Sequence, residues 1–541
     1  MPQGWDRIVD VVVVGSGGAA LTAATLAHDG GSEVLVVEKE AMLGGTTAVS
    51  GGVAWLPGNH HLTDAGLTDS RDDALAYLRA LTAGREHDPS LLDVFVDTAP
   101  EMLRYLEAHT PVRMQIVPNF PDYYAPYEVP GTTFGGRAVE PVPYPVGTEL
   151  PEWRDRLATR GALLSLGAAT TLGEDFSAPD AALQAELARR EAEDIRPKGA
   201  ALVAMLFKGL LERGVEARIE LAAREIVVVD GAVIGVRAED ASGSSVLIGA
   251  RQGVVLACGG FEWNAELVRA FIGYPVQPLS PGGNVGDGLV MAMESGAELA
   301  NMVSYWGQPA MFDPDITRDG AMVPQFEWAR GMPSSLVVNQ QGERFANEAM
   351  PYNDFPKAFG VFDASSATFP NEPPGWMLFD QKVRDSARIL SMFPGEPTPS
   401  WVPVADTIAE LAAMIGLPVD ALVATVERFN AYADKGDDPD FDRTKVGLMA
   451  PGVVSPLDTP PYYAVVIHPG ALGTNGGPRL TADAQVRAQR GGVVEGLYAA
   501  GNTAASAFGW AYPSGGGTIG QALVFGYRAG RHVATRPRQS L

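Results

Sequence analysis

Residues 8–20 read IVDVVVVGSGGAA. The β-branched run Ile8–Val14 meets a turn built from Gly15, Ser16, Gly17 and Gly18. Ala19 and Ala20 then open an Ala/Leu-rich stretch that predicts a helix to about His28. Glu33–Val37 is a second apolar strand, and it ends on the acid Glu38. Strand, glycine turn, helix, strand and acid in that order predict the first βαβ unit of a dinucleotide-binding fold. Gly15 permits the tight turn, and Gly17 lets backbone N–H groups approach a pyrophosphate at the positive end of the helix. Ala20 is small enough for the helix to pack on the strand. Glu38 lies about twenty residues on, placed to accept from a ribose hydroxyl. This stretch alone leaves NAD and FAD both open.

Composition bounds the remainder. A chain of 541 residues is too long for one ordinary core, so two or more domains are expected. The net charge of −25 argues against a general nucleic-acid binder, which needs cations for phosphates. The single cysteine, Cys258, rules out an internal disulfide and any Cys-rich metal or iron–sulfur site, and it reads as an inert core residue. No uncharged apolar run reaches the ~18 residues of a spanning helix, and Met1–Asp10 lacks the apolar core of a secretory signal. A soluble cytoplasmic protein is expected, with peripheral membrane contact left open. The 62 glycines exceed the usual share, and backbone lying against a ligand would account for them.

Further landmarks follow along the chain. Gly44-Gly45-Thr46-Thr47-Ala48-Val49-Ser50-Gly51-Gly52 is bare of bulk where something flat must approach. Residues 66–110 and 181–214 read as helical, and Pro111–Pro151 as an extended ordered loop with nine prolines. Ile226–Val229 and Val233–Arg237 predict a hairpin about Asp230-Gly231. Val254–Ala257 reads as a buried strand closing on Gly259-Gly260, and Asn284–Gly288 opens a helix. From about Ser304 to His468 the composition turns aromatic and Pro-rich, which predicts an inserted second domain. The chain then returns with Gly496–Asn502 and with Tyr512–Gly520 opening the last helix.

Taken in order, these landmarks resemble the flavoprotein family that contains fumarate reductase, the succinate dehydrogenase flavoprotein subunit and the 3-ketosteroid dehydrogenases. The resemblance implies an α/β (α+β) architecture: a Rossmann-like FAD-binding domain, residues 1–303 and 474–541, with an inserted α+β capping domain, residues 304–473. It implies FAD rather than NAD. Cofactor contacts carried over are Gly15, Ser16, Gly17, Gly18 and Ala19 from the first turn, and Glu38 and Lys39 from the second strand. Gly45, Thr46, Thr47, Ser50 and Gly51 follow from the small-residue run. Ile226, Ala257, Gly259, Asn284 and Asp287 come from the middle of the chain. Gly501, Asn502, Gly517, Thr518 and Ile519 come from its end. Succinate dehydrogenase attaches its flavin through a histidine in the small-residue run; Gly45 occupies that position here, which implies non-covalent FAD.

Within the family the substrate class turns on charged groups. Dicarboxylate enzymes place an arginine four residues after an Asn-Glu, a second arginine before the last glycine turn, and a histidine before Thr-x-Gly-Gly. Those three places hold Tyr352, Tyr512 and Gly473 here. Tyr352-Asn353-Asp354-Phe355, Asp122-Tyr123 and Tyr512-Pro513 before Gly516-Gly517-Thr518 resemble the 3-ketosteroid dehydrogenases. That resemblance implies Tyr352 as base, Tyr123 as its hydrogen-bond partner, and the Tyr512 hydroxyl with the Gly516 N–H as holders of the ketone oxygen. Tyr124 could take the place of Tyr123. Ser514 departs from the Δ1-desaturating pattern and is reminiscent of the Δ4-(5α)-dehydrogenases. The expected activity is FAD-dependent desaturation of the A ring of a 3-oxosteroid, with another cyclic ketone or a non-catalytic flavin carrier as rivals. The electron acceptor is not legible. No metal site is expected, and His468 reads as a core or hinge residue.

Overall fold

The computed structural model describes residues 4–158, 169–175, 180–318, 321–326, 329–444 and 453–541. Arg7–Val14 is the centre of a parallel array. Ser245–Leu256 and Val34–Val37 flank it, with Val493–Ala499 and Glu216–Arg218 outside them. Val9 and Val11–Val14 are buried, which suits a parallel strand covered on both faces. The helix Gly18–Asp29 packs against the last helix, Gly517–Thr535, at close range. A Cβ on Gly526 or Gly530 would lie 2.5 Å from the Ala19 carbonyl oxygen or 2.3 Å from that of Ala23. Only glycine permits helix backbones to approach so closely.

Local expectations meet three differences. The hairpin turns at Asp230-Gly231 as expected, but its strands are longer, Leu221–Val229 and Ala232–Asp240, and it continues the first sheet through Ser245–Leu256. The helical stretch 181–214 is two helices, Ala181–Glu193 and Lys198–Glu212. Asp194 takes a positive φ, and Pro197 supplies no N–H to continue the first helix. The stretch 111–151 is not merely a loop. Ala138–Pro141 pairs with Ala54–Trp55 and Met114–Ile116 in a three-stranded sheet whose short strands the prolines conceal in the sequence.

The second sheet is antiparallel apart from one short strand. Tyr462–Thr474 runs through its middle, pairing first with Gly375–Asp380 and then, from His468 to Thr474, with the start of Tyr305–Arg318. Ala321–Phe326 and Ser335–Val338 lie at its edges, and Gln277–Pro278 joins Tyr462–Thr474 in parallel. The end of that central strand reaches the segment that follows Ser245–Leu256, where the Phe261 N–H donates to Thr474 Oγ1 at 3.1 Å. Among the described residues no helix is long and apolar enough to cross a membrane.

Candidate functional site

A long cavity of about 1010 Å³, counting its open mouth, runs over the ends of the central parallel strands. Its floor is the first glycine turn. Gly15 takes φ +105°, and a Cβ there would lie 2.3 Å from the Ala257 carbonyl oxygen, so the turn rests directly on the end of the neighbouring strand. Ser16 knits the floor together, donating to Glu38 at 2.5 Å and accepting from the Gly44 N–H at 2.9 Å. Burial pushes the Glu38 carboxyl above its ordinary value. The Gly18 N–H donates to Thr47 Oγ1 at 3.0 Å, joining the helix start to the small-residue run.

Most of the expected cofactor residues line this cavity. Gly15, Ser16, Gly17, Gly18 and Ala19 do so, as do Glu38 and Lys39. From the small-residue run come Gly45, Thr46, Thr47 and Ser50, and from mid-chain Ala257, Gly259, Asn284 and Asp287. Gly501, Asn502, Thr518 and Ile519 complete them, so the first turn of the last helix aims its positive end at the cavity. Gly51, Ile226 and Gly517 lie off the lining. Ile226 faces Val236 across the hairpin, and the residues of its strand that reach the cavity are Leu221 and Ala223. Their period-two spacing was the available signal. Cys258 packs against the core and also lines the cavity, and burial pushes its thiol to about 12, which keeps it inert. Lys39 is tied to Asp287 at 2.5 Å. A glycine floor, helix N-termini at the lining and a buried acid fit a dinucleotide such as FAD.

Next to the end formed by Thr518 and Ile519 stands an aromatic cluster: Tyr123, Tyr352 and Tyr512, with Phe120, Trp306 and Leu472 packed around them. Three segments deliver the tyrosines: the early aromatic loop, the turn before Phe355–Ala358, and the loop before the last helix. Ring centroids are 5.3 Å apart for Tyr123 and Tyr352, 5.7 Å for Tyr352 and Tyr512, and 5.9 Å for Tyr123 and Tyr512. Tyr352 donates to the Tyr512 hydroxyl at 3.2 Å and also bonds Tyr123. The Gly516 N–H and the Thr518 hydroxyl stand beside the Tyr512 hydroxyl, and the Gly515 N–H beside that of Tyr123, where each favours the ionised form. Burial pushes all three hydroxyls above their ordinary value, and the donors around Tyr512 and Tyr123 pull those two partly back.

Geometry separates the neighbouring candidates. The Tyr124 hydroxyl is committed to Asp354, leaving Tyr123 as the one that faces Tyr352. Ser514 donates to the Pro121 carbonyl oxygen at 3.0 Å and so ties the last glycine turn to the aromatic loop. Arg344 is buried in ion pairs with Glu348 and Asp438, both at 2.8 Å. Gly473 has no room for a side chain, because a Cβ there would lie 2.2 Å from Asn502 Nδ2. His468 packs edge-on against Phe312. Trp306 was not foreseen. Its indole N–H donates to Asn502 at 3.0 Å and its ring packs on Tyr512, linking cavity and cluster.

Comparison with known proteins agrees with this geometry. Residues 10–519 match the family model described as FAD binding domain. The 4-oxocyclohexanecarboxylate 2-dehydrogenase of Sinomonas cyclohexanicum is 38% identical, across 97% of this chain and 92% of that protein. The 3-oxosteroid 1-dehydrogenase of Mycobacterium tuberculosis is 35% identical, across 97% and 98%. The crystal structure of 3-ketosteroid delta1-dehydrogenase from Sterolibacterium denitrificans, in complex with 1,4-androstadiene-3,17-dione, superposes with a TM-score of 0.87 at 33% identity, covering 98% of this chain and 99% of that one. The chain therefore belongs to the FAD-binding flavoprotein family that includes the 3-ketosteroid dehydrogenases, and it is an FAD-dependent oxidoreductase.

Proposed function

We propose that this protein desaturates the A ring of a 3-oxosteroid between C1 and C2. The observation that carries the reading is the meeting of the Tyr123, Tyr352 and Tyr512 hydroxyls with the Gly516 N–H beside the dinucleotide cavity. Forming that double bond removes a proton from C2 and a hydride from C1. FAD, held without a covalent link because Gly45 offers no attachment, supplies the hydride acceptor when bound. The Tyr512 hydroxyl and the Gly516 N–H hold the ketone oxygen and stabilise the enolate that develops as the C2 proton leaves. Tyr352 receives that proton. An isolated tyrosine is a poor base near neutral pH; in the structure Tyr352 is the donor toward Tyr123, and reversal of that bond, with Tyr123 donating, would stabilise the Tyr352 anion. In the structure the Tyr352 hydroxyl donates to Tyr512, and Tyr352 must give up that proton before it can receive the one from C2.

Residues 1–303 with 474–541 would then form the cofactor-binding part, and 304–473 the part that closes over the substrate. The commitment of the Ser514 hydroxyl to Pro121 favours Δ1 over Δ4 chemistry, since it leaves that proton to a structural bond. A second reading keeps the chemistry and changes the ring. The 38% identical relative is a dehydrogenase of a monocyclic oxo acid, and the site recognises only a carbonyl. Anaerobic mixing with 4-androstene-3,17-dione should bleach the visible flavin absorbance and yield the C1–C2 olefin. Bleaching by 4-oxocyclohexanecarboxylate, with no response to any 3-oxosteroid, would establish the second reading instead.

A further inference from the structure

Glu262 follows the strand that ends at Leu256, and the site described above gives it no role. Its carboxylate is buried, and among the described residues it has no ion-pair partner. Donors surround it instead. Ser280 Oγ donates to Oε1 at 2.5 Å, Asn284 Nδ2 to the same oxygen at 2.9 Å, and the Thr474 N–H to Oε2 at 3.3 Å. Those donors come from the loop before the helix Asp287–Glu294 and from the end of the central strand of the second sheet. Burial pushes the carboxyl above its ordinary value, and the donors oppose that rise.

Asn284 is the member of this set that reaches the cofactor cavity. Its Nδ2 also donates to Thr46 Oγ1 at 2.8 Å. Both amide protons are thereby committed, and Oδ1 is left against Gly259, where a Cβ would lie only 2.3 Å away. The two ends of an asparagine amide are nearly the same shape, so a fixed orientation needs a partner that can only donate or only accept. The Thr46 hydroxyl can do either and cannot choose. The Glu262 carboxyl oxygens already accept from Ser280 and the Thr474 N–H, so toward Asn284 they present an acceptor.

We propose that Glu262 is a positioning residue for FAD: it fixes the Asn284 amide so that its oxygen, not its nitrogen, is presented along the cofactor cavity. The proposal rests on the shared lining of Asn284, Thr46 and Gly259 and is independent of the substrate's identity.

The test is the FAD dissociation constant, read from flavin fluorescence released on serial dilution of purified holoenzyme. Glu262→Met removes every acceptor at similar volume and should weaken FAD roughly tenfold, the effect of losing one charge-assisted hydrogen bond. Glu262→Gln keeps an acceptor oxygen for Asn284 and should restore most of that affinity. Combining Glu262→Met with Asn284→Ala should cost no more than Asn284→Ala alone, because the first acts through the second. If Glu262→Met fails to fold, the exchanged pair decides. Asn284→Asp sets two carboxylates together and should release FAD, while Asn284→Asp with Glu262→Gln restores a donor–acceptor pair and should regain it. Wild-type affinity in Glu262→Met, fully additive losses, or no recovery in the exchanged pair would each overturn the proposal.

Discussion

Replacing Tyr352 by Phe isolates one proton. The hydroxyl is the group proposed to take the C2 proton, and the ring is part of the packing around Tyr123 and Tyr512. Removing the oxygen alone leaves the rings in place and orphans neither neighbour. Tyr123 keeps the Gly515 N–H, and Tyr512 keeps Thr518 and the Gly516 N–H. The stability cost should therefore be that of one hydrogen bond, about 1 kcal/mol. The loss of a general base is a separate and larger effect, on the order of 10² to 10⁴ in rate. At about 1.36 kcal/mol per decade this corresponds to roughly 3–5 kcal/mol of barrier. Tyr352 does not line the FAD cavity, so bound flavin should be retained at wild-type stoichiometry. Anaerobic stopped-flow reduction by a 3-oxosteroid, beside a thermal melt and a flavin spectrum, measures all three quantities. Reduction within tenfold of wild type would refute the assignment of Tyr352 as base.

Gly515→Ala should abolish turnover while FAD stays bound, because its Cβ would stand 2.9 Å from both the Tyr123 hydroxyl and the Phe120 ring; steady-state assay with flavin quantitation checks this, and an active variant would show that Tyr123 need not keep its place. Tyr512→Phe should lower kcat by roughly 10² to 10³, the usual cost of one oxyanion donor, with the Gly516 N–H still present; an unchanged kcat would remove Tyr512 from ketone binding. Acid stability should depend on the cluster of Arg344, Arg443, Glu348 and Asp438. Burial alone would push the Glu348 and Asp438 carboxyls up, but the two guanidiniums hold both below their ordinary values of 4.5 and 3.8. Stability from these pairs is complete above those values and is lost as pH falls through the lower values of the folded state. Arg344→Met should cost roughly 3–5 kcal/mol near neutral pH and flatten the acid limb of the urea midpoint.

The dinucleotide part was legible because its signals are local. A glycine turn between a buried strand and a helix needs no distant partner to be understood, and Gly15 and Gly17 stand where that reading puts them. The hairpin was located by Asp230-Gly231 for the same reason, although its strand ends were not, since pairing extends as far as neighbours allow. What the sequence hid is non-local. Ala54–Trp55 and Ala138–Pro141 are too short and too interrupted by proline to announce strands, and they exist because they pair. Trp306 and Glu262 carry no motif. Each matters only through a partner far along the chain, Asn502 for one and Asn284 for the other.

The tyrosine cluster lies between these cases. Its residue types could be matched to a family, but their meeting depends on backbone bonds that no side-chain pattern encodes. The Pro513 carbonyl oxygen accepts from both the Tyr123 N–H and the Tyr77 hydroxyl. The Trp55 N–H donates to the Gly516 carbonyl oxygen at 3.0 Å, and Ser514 holds Pro121. The segment that bears Tyr512 is thus pinned on both sides by the strand at Trp55 and the loop that bears Tyr123. Asp122, beside Tyr123, is itself held by Trp55 Nε1 at 2.8 Å and by Arg137 at 2.7 Å, and Arg137 in turn grips Asp69. Tyr352 arrives from the other side, with Asn353 accepting from the Gly307 N–H and fixing the turn to the second sheet. Two hydroxyls therefore sit on one bonded frame, and the proposed base on another. Any movement between the frames would change the distance from Tyr352 to its partners without disturbing the proposed ketone-holding pair, so on this proposal base strength and carbonyl binding would vary separately.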